Sequence, residues 1–201
     1  MKLIMKKEFK IISKIIQNNK RVLDVGCGDG TLMEHLKFNQ QNDVRGLEPI
    51  KDLVQKCISR GLSVIEGDAE KELAQFPEKS FDYVVLSQTL QAFLNPEEVL
   101  KQLLRIGKQT IVSIPNFGYW KVRFHLLFKG TMPITKNLPN EWYNTPNLHM
   151  CTIKDFVNFC EKKNIIIDKS LCLTNEKISE ITNNNMFYKN ILSQLGIFII
   201  K

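Results

Sequence analysis

Apolar and polar positions change period repeatedly along the chain. Phe9, Ile12, Ile15 and Ile16 recur at helical spacing, which predicts a helix over residues 5–18. Short β-branched runs then predict five strands, at 21–25 (RVLDV), 43–48 (DVRGLE), 62–66 (LSVIE), 81–87 (FDYVVLS) and 109–114 (QTIVSI). Helices are expected between them at about 30–37, at 51–60, and from Pro96 to about 105. Asn95 is placed there as an N-cap and Pro96 at the first helical position. Residues 165–172 (IIIDKSLC) and 196–201 (GIFIIK) read as strands six and seven, with Asn183-Asn184-Asn185 marking a loop. Strands alternating with helices imply one doubly wound, mostly parallel, seven-stranded sheet with helices on both faces. No internal repeat or linker divides the 201 residues, so one domain is expected over 1–201, with an aromatic-rich insertion at about 117–150.

Composition narrows the partners. Hydrophobic residues are 43% and charged residues 24%, an ordinary globular balance. No apolar stretch approaches the roughly 18 residues of a membrane span, and lysines interrupt the N-terminal MKLIMKKEFKIISKII before a secretory core could form. A soluble, cytoplasmic protein is expected, with no membrane partner. The net charge is +7, yet of 28 lysines and arginines only Arg21, Arg45, Arg60, Arg105 and Arg123 are arginine. Arginine is the residue suited to bidentate phosphate contacts, so the charge reads as a global bias and no nucleic acid is expected. Five cysteines (Cys27, Cys57, Cys151, Cys160, Cys172) with no C-x-x-C pair give neither a disulfide framework nor a metal site.

The chemistry concentrates at 22–30, VLDVGCGDG. An apolar strand carrying Asp24 breaks into Gly26, Cys27, Gly28 and Gly30, a turn that lets backbone approach a ligand where a helix begins. A nicotinamide fingerprint would need its third glycine at position 31, which is Thr31. The observed G-x-G-x-G with an acid two residues before it instead resembles motif I of class I S-adenosylmethionine (SAM) methyltransferases. In such sheets ligands lie beyond the carboxyl ends of the strands. Strand two ends in Glu48, 20 residues after Gly28, where a carboxylate can accept both ribose hydroxyls. Strand three ends in Gly67-Asp68-Ala69; the resemblance implies that Asp68 holds the adenine amino group beside the Ala69 backbone. Strand four ends in Ser87-Gln88, implied to lie beside the methionyl part. A solvated acid after a strand is commonplace; the joint placement of Glu48 and Asp68 with motif I is what carries the reading. No Walker Gly-Lys-Ser/Thr occurs, no N/D-P-P-Y/F motif follows strand four, and no Pro-Cys pair exists, which argues against phosphate cradles and base methylation.

The run SIPNFGYWKVRFHLLFKGTMPITKNLPNEWYNTPNLHMCTIKDF, with VLDVGCGDG and VVLSQTLQ before it, closely resembles the methionine-biosynthesis MetW family over roughly residues 20–165. The resemblance implies a role in the homoserine branch of methionine synthesis and a partner, the MetX-type homoserine O-acyltransferase. It supplies no catalytic residue and no methyl acceptor. SAM is the implied cofactor; whether it is turned over on a small-molecule acceptor or only bound stays open. Tyr119, Trp120, Trp142, Tyr143 and His149 are candidates for a substrate or partner surface, against the plainer reading of a lid packed on the core. Phe124, Leu127 and Phe128, at helical spacing, are expected to be partly core, and Lys121, Arg123, Lys129 and Lys136 to solvate the segment.

Overall fold

A computed structural model describes residues 5–135, 138–175 and 177–201; Lys136 lies outside them. The elements run α1 (Lys7–Ile15), β1 (Arg21–Val25), α2 (Thr31–Gln40), β2 (Asp43–Glu48), α3 (Lys51–Ser59), β3 (Ser63–Glu66), α4 (Ala69–Glu72), β4 (Phe81–Ser87), α5 (Pro96–Ile106), β5 (Gly107–Pro115), α6 (Trp120–Lys129), α7 (Ile153–Lys162), β6 (Ile167–Thr174), β7 (Lys177–Glu180), α8 (Met186–Leu192) and β8 (Leu195–Ile200). They give an α/β fold with one mixed sheet in the order β3-β2-β1-β4-β5-β8-β6-β7.

The expected seven strands become eight among the described residues. The addition is β7, a four-residue edge strand paired antiparallel to β6. Its Lys-Ile-Ser-Glu sequence is mostly exposed and has no apolar run to announce it. β6 pairs antiparallel with β8 as well as with β7, so the sheet is mixed, with eight strands in place of seven. The helices α6, α7 and α8 likewise add to those the sequence pattern predicts.

Two compact units divide the chain, one running to Thr89 together with Asn95–Ile111, the other comprising Leu90–Leu94 and Val112–Lys201. In the first, β1 pairs parallel with β2 and β4, and β2 with β3. Val22, Leu23 and Val25 are wholly buried, as a central parallel strand covered on both faces requires. Gly46 in β2 has a packing reason: a Cβ there would meet Cys27 Sγ and Met33 Sδ at 2.7 Å. Asn95 occupies the N-cap position of α5 with Pro96 beside it, but its side chain makes no cap bond.

In the second unit, Ile153, Phe156, Cys160, Leu195, Ile197 and Phe198 form the core, with the Phe156 and Phe198 rings 4.5 Å apart. Asn116, buried after β5, uses every hydrogen-bonding group of its side-chain amide. Its Nδ2 donates to the carbonyls of Asn190 and Ser193, both at 2.7 Å. Its Oδ1 accepts from the N–H of Gly118 (2.9 Å) and of Ile153 (3.2 Å). The aromatic segment therefore leaves and returns at one side chain, and the Phe117 N–H adds a bond to the Cys151 carbonyl.

Candidate functional site

The carboxyl ends of β1 to β4 lie side by side: Asp24 is in register with Gly46 and Val85, and Glu48 with Glu66. Gly26, Gly28 and Gly30 all take positive φ (70°, 58° and 78°), each for its own reason. A Cβ on Gly26 would strike Thr89 at 2.7 Å, and Thr89 Oγ1 bonds back to the Ser87 carbonyl. A Cβ on Gly30 would strike Leu62 at 2.5 Å and Cys57 Sγ at 2.9 Å. At Gly28 nothing lies within 4 Å, so the middle of the turn alone faces open space. Cys27 and Cys57 are buried, and burial first of all pushes both thiols up from their ordinary range, which makes them poor nucleophiles.

Glu48 is 4% exposed and anchored by backbone. Its Oε2 accepts from the Gly28 N–H (2.8 Å) and its Oε1 from the Ile50 N–H (3.1 Å). One ligand-facing N–H expected of the turn is thus spent on the carboxylate. A carboxylate accepts about four hydrogen bonds, so each oxygen keeps capacity for a hydroxyl. Asp24 is 2% exposed. Burial raises its pKa to about 7, with Glu48 and then Glu8 adding to the rise. Asp68 is exposed and caps α4, accepting from the Glu70 N–H at 3.0 Å, while Ala69 behind it is buried.

Ser87 and Gln88 are held by a residue that sequence reasoning missed. Glu8, in the first turn of α1 and 4% exposed, accepts from Ser87 Oγ at 2.8 Å and from Gln88 Nε2. Gln88 itself sits at φ +52°, a conformation non-glycine residues adopt at a cost. Glu8 lies 79 residues before Ser87 and reads in the sequence as an ordinary helix acid; only the pairing of the two elements reveals it. The first unit therefore gathers Asp24, Gly26, Cys27, Gly28, Gly30, Glu48, Asp68, Ala69, Ser87 and Gln88 around adjoining strand ends. Carboxylates, a hydroxyl and an amide there suit a cation and sugar hydroxyls better than a phosphate.

The chain's sequence matches the family described as methionine biosynthesis protein MetW over residues 6–200. It belongs to the MetW family. A bifunctional methionine biosynthesis protein MetXA/MetW of Rhodopirellula baltica is 34% identical over 172 residues, covering 80% of this chain and 27% of that protein. A demethylmenaquinone methyltransferase of Listeria welshimeri is 28% identical over 134 residues, covering 59% of this chain and 56% of that one. The chain thus spans about a quarter of the first relative's length and about half of the second's. Among solved structures, a SAM-dependent methyltransferase of Thermotoga maritima, described as a possible histamine N-methyltransferase, superposes with a TM-score of 0.68 at 18% identity. That likeness covers 97% of this chain and 90% of the other. Such low identity establishes the fold alone, and the fold is that of the class I methyltransferases.

The aromatic candidates lie in the second unit, and their exposure divides them. Tyr119 is buried at 5%, packed with Val122 and Leu138, and its hydroxyl has no hydrogen-bond partner among the described residues; it belongs to the core of that unit. Trp142 and Tyr143 are exposed and meet edge to face at 5.7 Å. Trp142 also borders a recess of about 30 Å³ shared with Phe117, Met132, Leu138 and Met150. His149 is exposed, its backbone N–H bonded to the Gln91 carbonyl. The expectation of core positions at Phe124, Leu127 and Phe128 is overturned: they are 51%, 75% and 73% exposed. α6 buries only Val122, so the row Trp120, Phe124, Phe128 lies on its free side, ring against ring at 6.0 and 5.6 Å. Lys121, Arg123 and Lys129 flank that row in sequence.

Proposed function

We propose that this chain binds SAM and serves as partner and activator of a MetX-type homoserine O-acyltransferase. The observation that carries the reading is membership of the MetW family along nearly the whole chain, with a relative named for MetXA and MetW together. In the cofactor's site, the open middle of the turn at Gly28 admits the ligand, with Gly26, Cys27 and Gly30 shaping the bend around it. Glu48 offers its remaining acceptor capacity to the ribose hydroxyls. Asp68 and the Ala69 backbone take the adenine edge, Ser87 and Gln88 the methionyl part, and Asp24 adds negative potential beneath them. SAM, when bound, carries a methyl group activated on a cationic sulfur. No residue at the strand ends has a geometry that marks it as a catalytic acid or base.

The exposed aromatic row of α6, with Trp142, Tyr143 and His149, forms the docking face for the acyltransferase. Trp, Tyr and Phe are the side chains that anchor protein interfaces. Because SAM is made from methionine, a SAM-binding partner reports end-product level to an early step. The test is to purify both proteins, confirm complex formation and measure acyl transfer with and without SAM. Activation that SAM changes, and that Asp68→Ala desensitises, supports the sensor. If acyl transfer is indifferent to the partner, the activator role fails; if it is indifferent to SAM and to Asp68→Ala, the sensing role fails.

A second reading is a working methyltransferase on a small-molecule acceptor. It is favoured by the open glycine turn with Glu48 and Asp68 at the neighbouring strand ends and by likeness to a demethylmenaquinone methyltransferase over 59% of the chain. Transfer of labelled methyl from SAM into a metabolite extract would establish it; tight binding without turnover would exclude it.

A further inference from the structure

Gly26, Gly28 and Gly30 leave the turn after β1 with little stiffness of its own, since glycine has more backbone freedom to lose than any other residue. Most of the turn is fastened through its backbone. The Gly26 N–H donates to the Leu47 carbonyl at 2.8 Å and the Gly30 N–H to the Cys27 carbonyl at 3.1 Å. Gly28 is held from both sides, its N–H by Glu48 and its carbonyl by Cys57 Sγ at 3.3 Å. Asp29, between two left-handed glycines, is fastened by its side chain. Its Oδ1 accepts from the Thr31 N–H (3.1 Å) and from the Thr31 hydroxyl (2.7 Å), both within the same stretch of chain. Arg60, at the C-cap of α3, reaches the same carboxylate from outside the turn. Its Nη2 lies 3.5 Å from Asp29 Oδ2, while its Nη1 meets Thr31 Oγ1 at 3.5 Å and Glu34 Oε2 at 3.7 Å. Burial opposes the charge on Asp29, but the Thr31 hydrogen bonds and then Arg60 and Lys6 hold its carboxyl below the usual carboxylate range, so the pair is ionised at neutral pH.

Resting on the SAM reading above, we propose that Arg60 is a positioning residue for the cofactor, acting through Asp29 to hold the glycine turn in its ligand-receiving shape before the ligand arrives. The residue type supports this. Only five of the 28 basic residues are arginines, and here the planar fork spans a carboxylate on the turn together with a hydroxyl and a carboxylate on α2, which a compact ammonium does less well. The other end of α3 is tied to the same site: Ile50, at its N-cap, donates its N–H to Glu48 Oε1. A nine-residue helix thus fastens to the strand-two acid where it starts and to the glycine turn where it stops. Stability and affinity separate at such a pair. The side chains of Arg60 and Asp29 are 23% and 40% exposed, and ion pairs open to water add little to global stability. A glycine-rich turn that must be ordered to bind depends on the same pair far more, because any disorder left in it is paid out of ligand affinity.

The experiment measures binding of SAM and S-adenosylhomocysteine to the full chain by calorimetry. Hydrogen exchange at the Gly30 and Thr31 amides of the ligand-free protein is the second readout. Arg60→Met keeps the length of the side chain and removes its charge; Asp29→Asn keeps an acceptor for Thr31 and removes the charge that Arg60 meets. Each single change is expected to weaken both ligands about fivefold and to speed exchange at the two amides about fivefold, while the melting temperature moves by less than about 2 °C. The double variant is expected to bind no more weakly than Arg60→Met, because the two side chains act as one unit. Arg60→Lys, with the charge but not the fork, is expected to recover part of the affinity. Losses that add in the double variant overturn the proposal, as does a loss below about twofold in Arg60→Met, or weaker binding with unchanged exchange. A lower melting temperature with unchanged affinity makes Arg60 a structural brace and overturns it too. Asp29→Asn and Arg60→Lys carry the comparison if Arg60→Met does not fold. A wild-type protein that binds neither ligand overturns the cofactor reading itself, and this inference with it, before any variant is compared.

Discussion

Asp24 carries the sharpest consequence for solution behaviour. Its carboxyl is raised from 3.8 to about 7 by burial and by two neighbouring acids, so the folded chain holds a proton there that the unfolded chain has released. Because the native state binds more protons between about pH 4 and 7, this group makes stability rise as pH falls through that window. Thermal melts from pH 8 to pH 5 are expected to show the gain, and Asp24→Asn is expected to remove it and to raise the melting temperature at pH 8. A bound cation favours the ionised carboxylate. SAM binding near pH 7 is therefore expected to release a proton, visible as a calorimetric enthalpy that varies with the ionisation enthalpy of the buffer. The glycines give a second contrast. Gly30→Ala combines a left-handed backbone with contacts at 2.5 and 2.9 Å to Leu62 and Cys57, and is expected to cost about 2–4 kcal/mol in denaturant unfolding. Gly28→Ala meets no atom and is expected to cost about 1–2 kcal/mol while weakening SAM binding disproportionately, since its methyl enters the open centre of the turn.

Elements differ in how far local sequence announces them. The sequence pattern places β1, β2, β3 and β4 within a residue of their ends, because the first three close on glycine, proline or an acid and the apolar run of β4 breaks at Ser87-Gln88. α7 was missed although its signal is local: Thr152 and Asp155 form a capping box, with Asp155 N–H to Thr152 Oγ1 at 3.1 Å and Thr152 N–H to Asp155 Oδ2 at 2.9 Å. β7 had no such signal, since an exposed edge strand needs no apolar face. α6 misled in the opposite sense. Its aromatic spacing is helical, but spacing cannot tell a row that faces a core from one that faces solvent or a partner. Most of the candidate site was legible because its residues follow strands; Glu8 was not, because its meaning depends on a helix crossing to a strand end far away in sequence. At this scale the test is Phe124→Ser with Phe128→Ser. Both side chains are mostly exposed, so melting is expected to move by less than about 1 kcal/mol equivalent, while binding to the acyltransferase falls at least about tenfold in a pull-down or by interferometry.

On the scale of the whole molecule, the relation to the larger Rhodopirellula baltica protein makes linkage measurable. The chain corresponds to 27% of that protein, and two modules in one polypeptide meet at an effective concentration of about a millimolar. Fusing this chain to its proposed acyltransferase is expected to preserve activation on dilution to nanomolar protein, where the unlinked pair loses it in the same acyl-transfer assay.

The Asn116 amide bears on how such a molecule changes over time. It closes the two ends of residues 118–153 on one saturated side chain, in the manner of a drawstring. Chain closure entropy grows only slowly with loop length, so the exposed stretches between the knots can lengthen, shorten or be exchanged while Tyr119, Val122, Leu138 and Ile153 keep the core beneath. The aromatic segment is in that sense a replaceable cassette. Transplanted with its asparagine, it should carry its recognition to another scaffold; without that residue, its ends fall back on the Phe117–Cys151 backbone bond and the bonds to the Gln91 carbonyl.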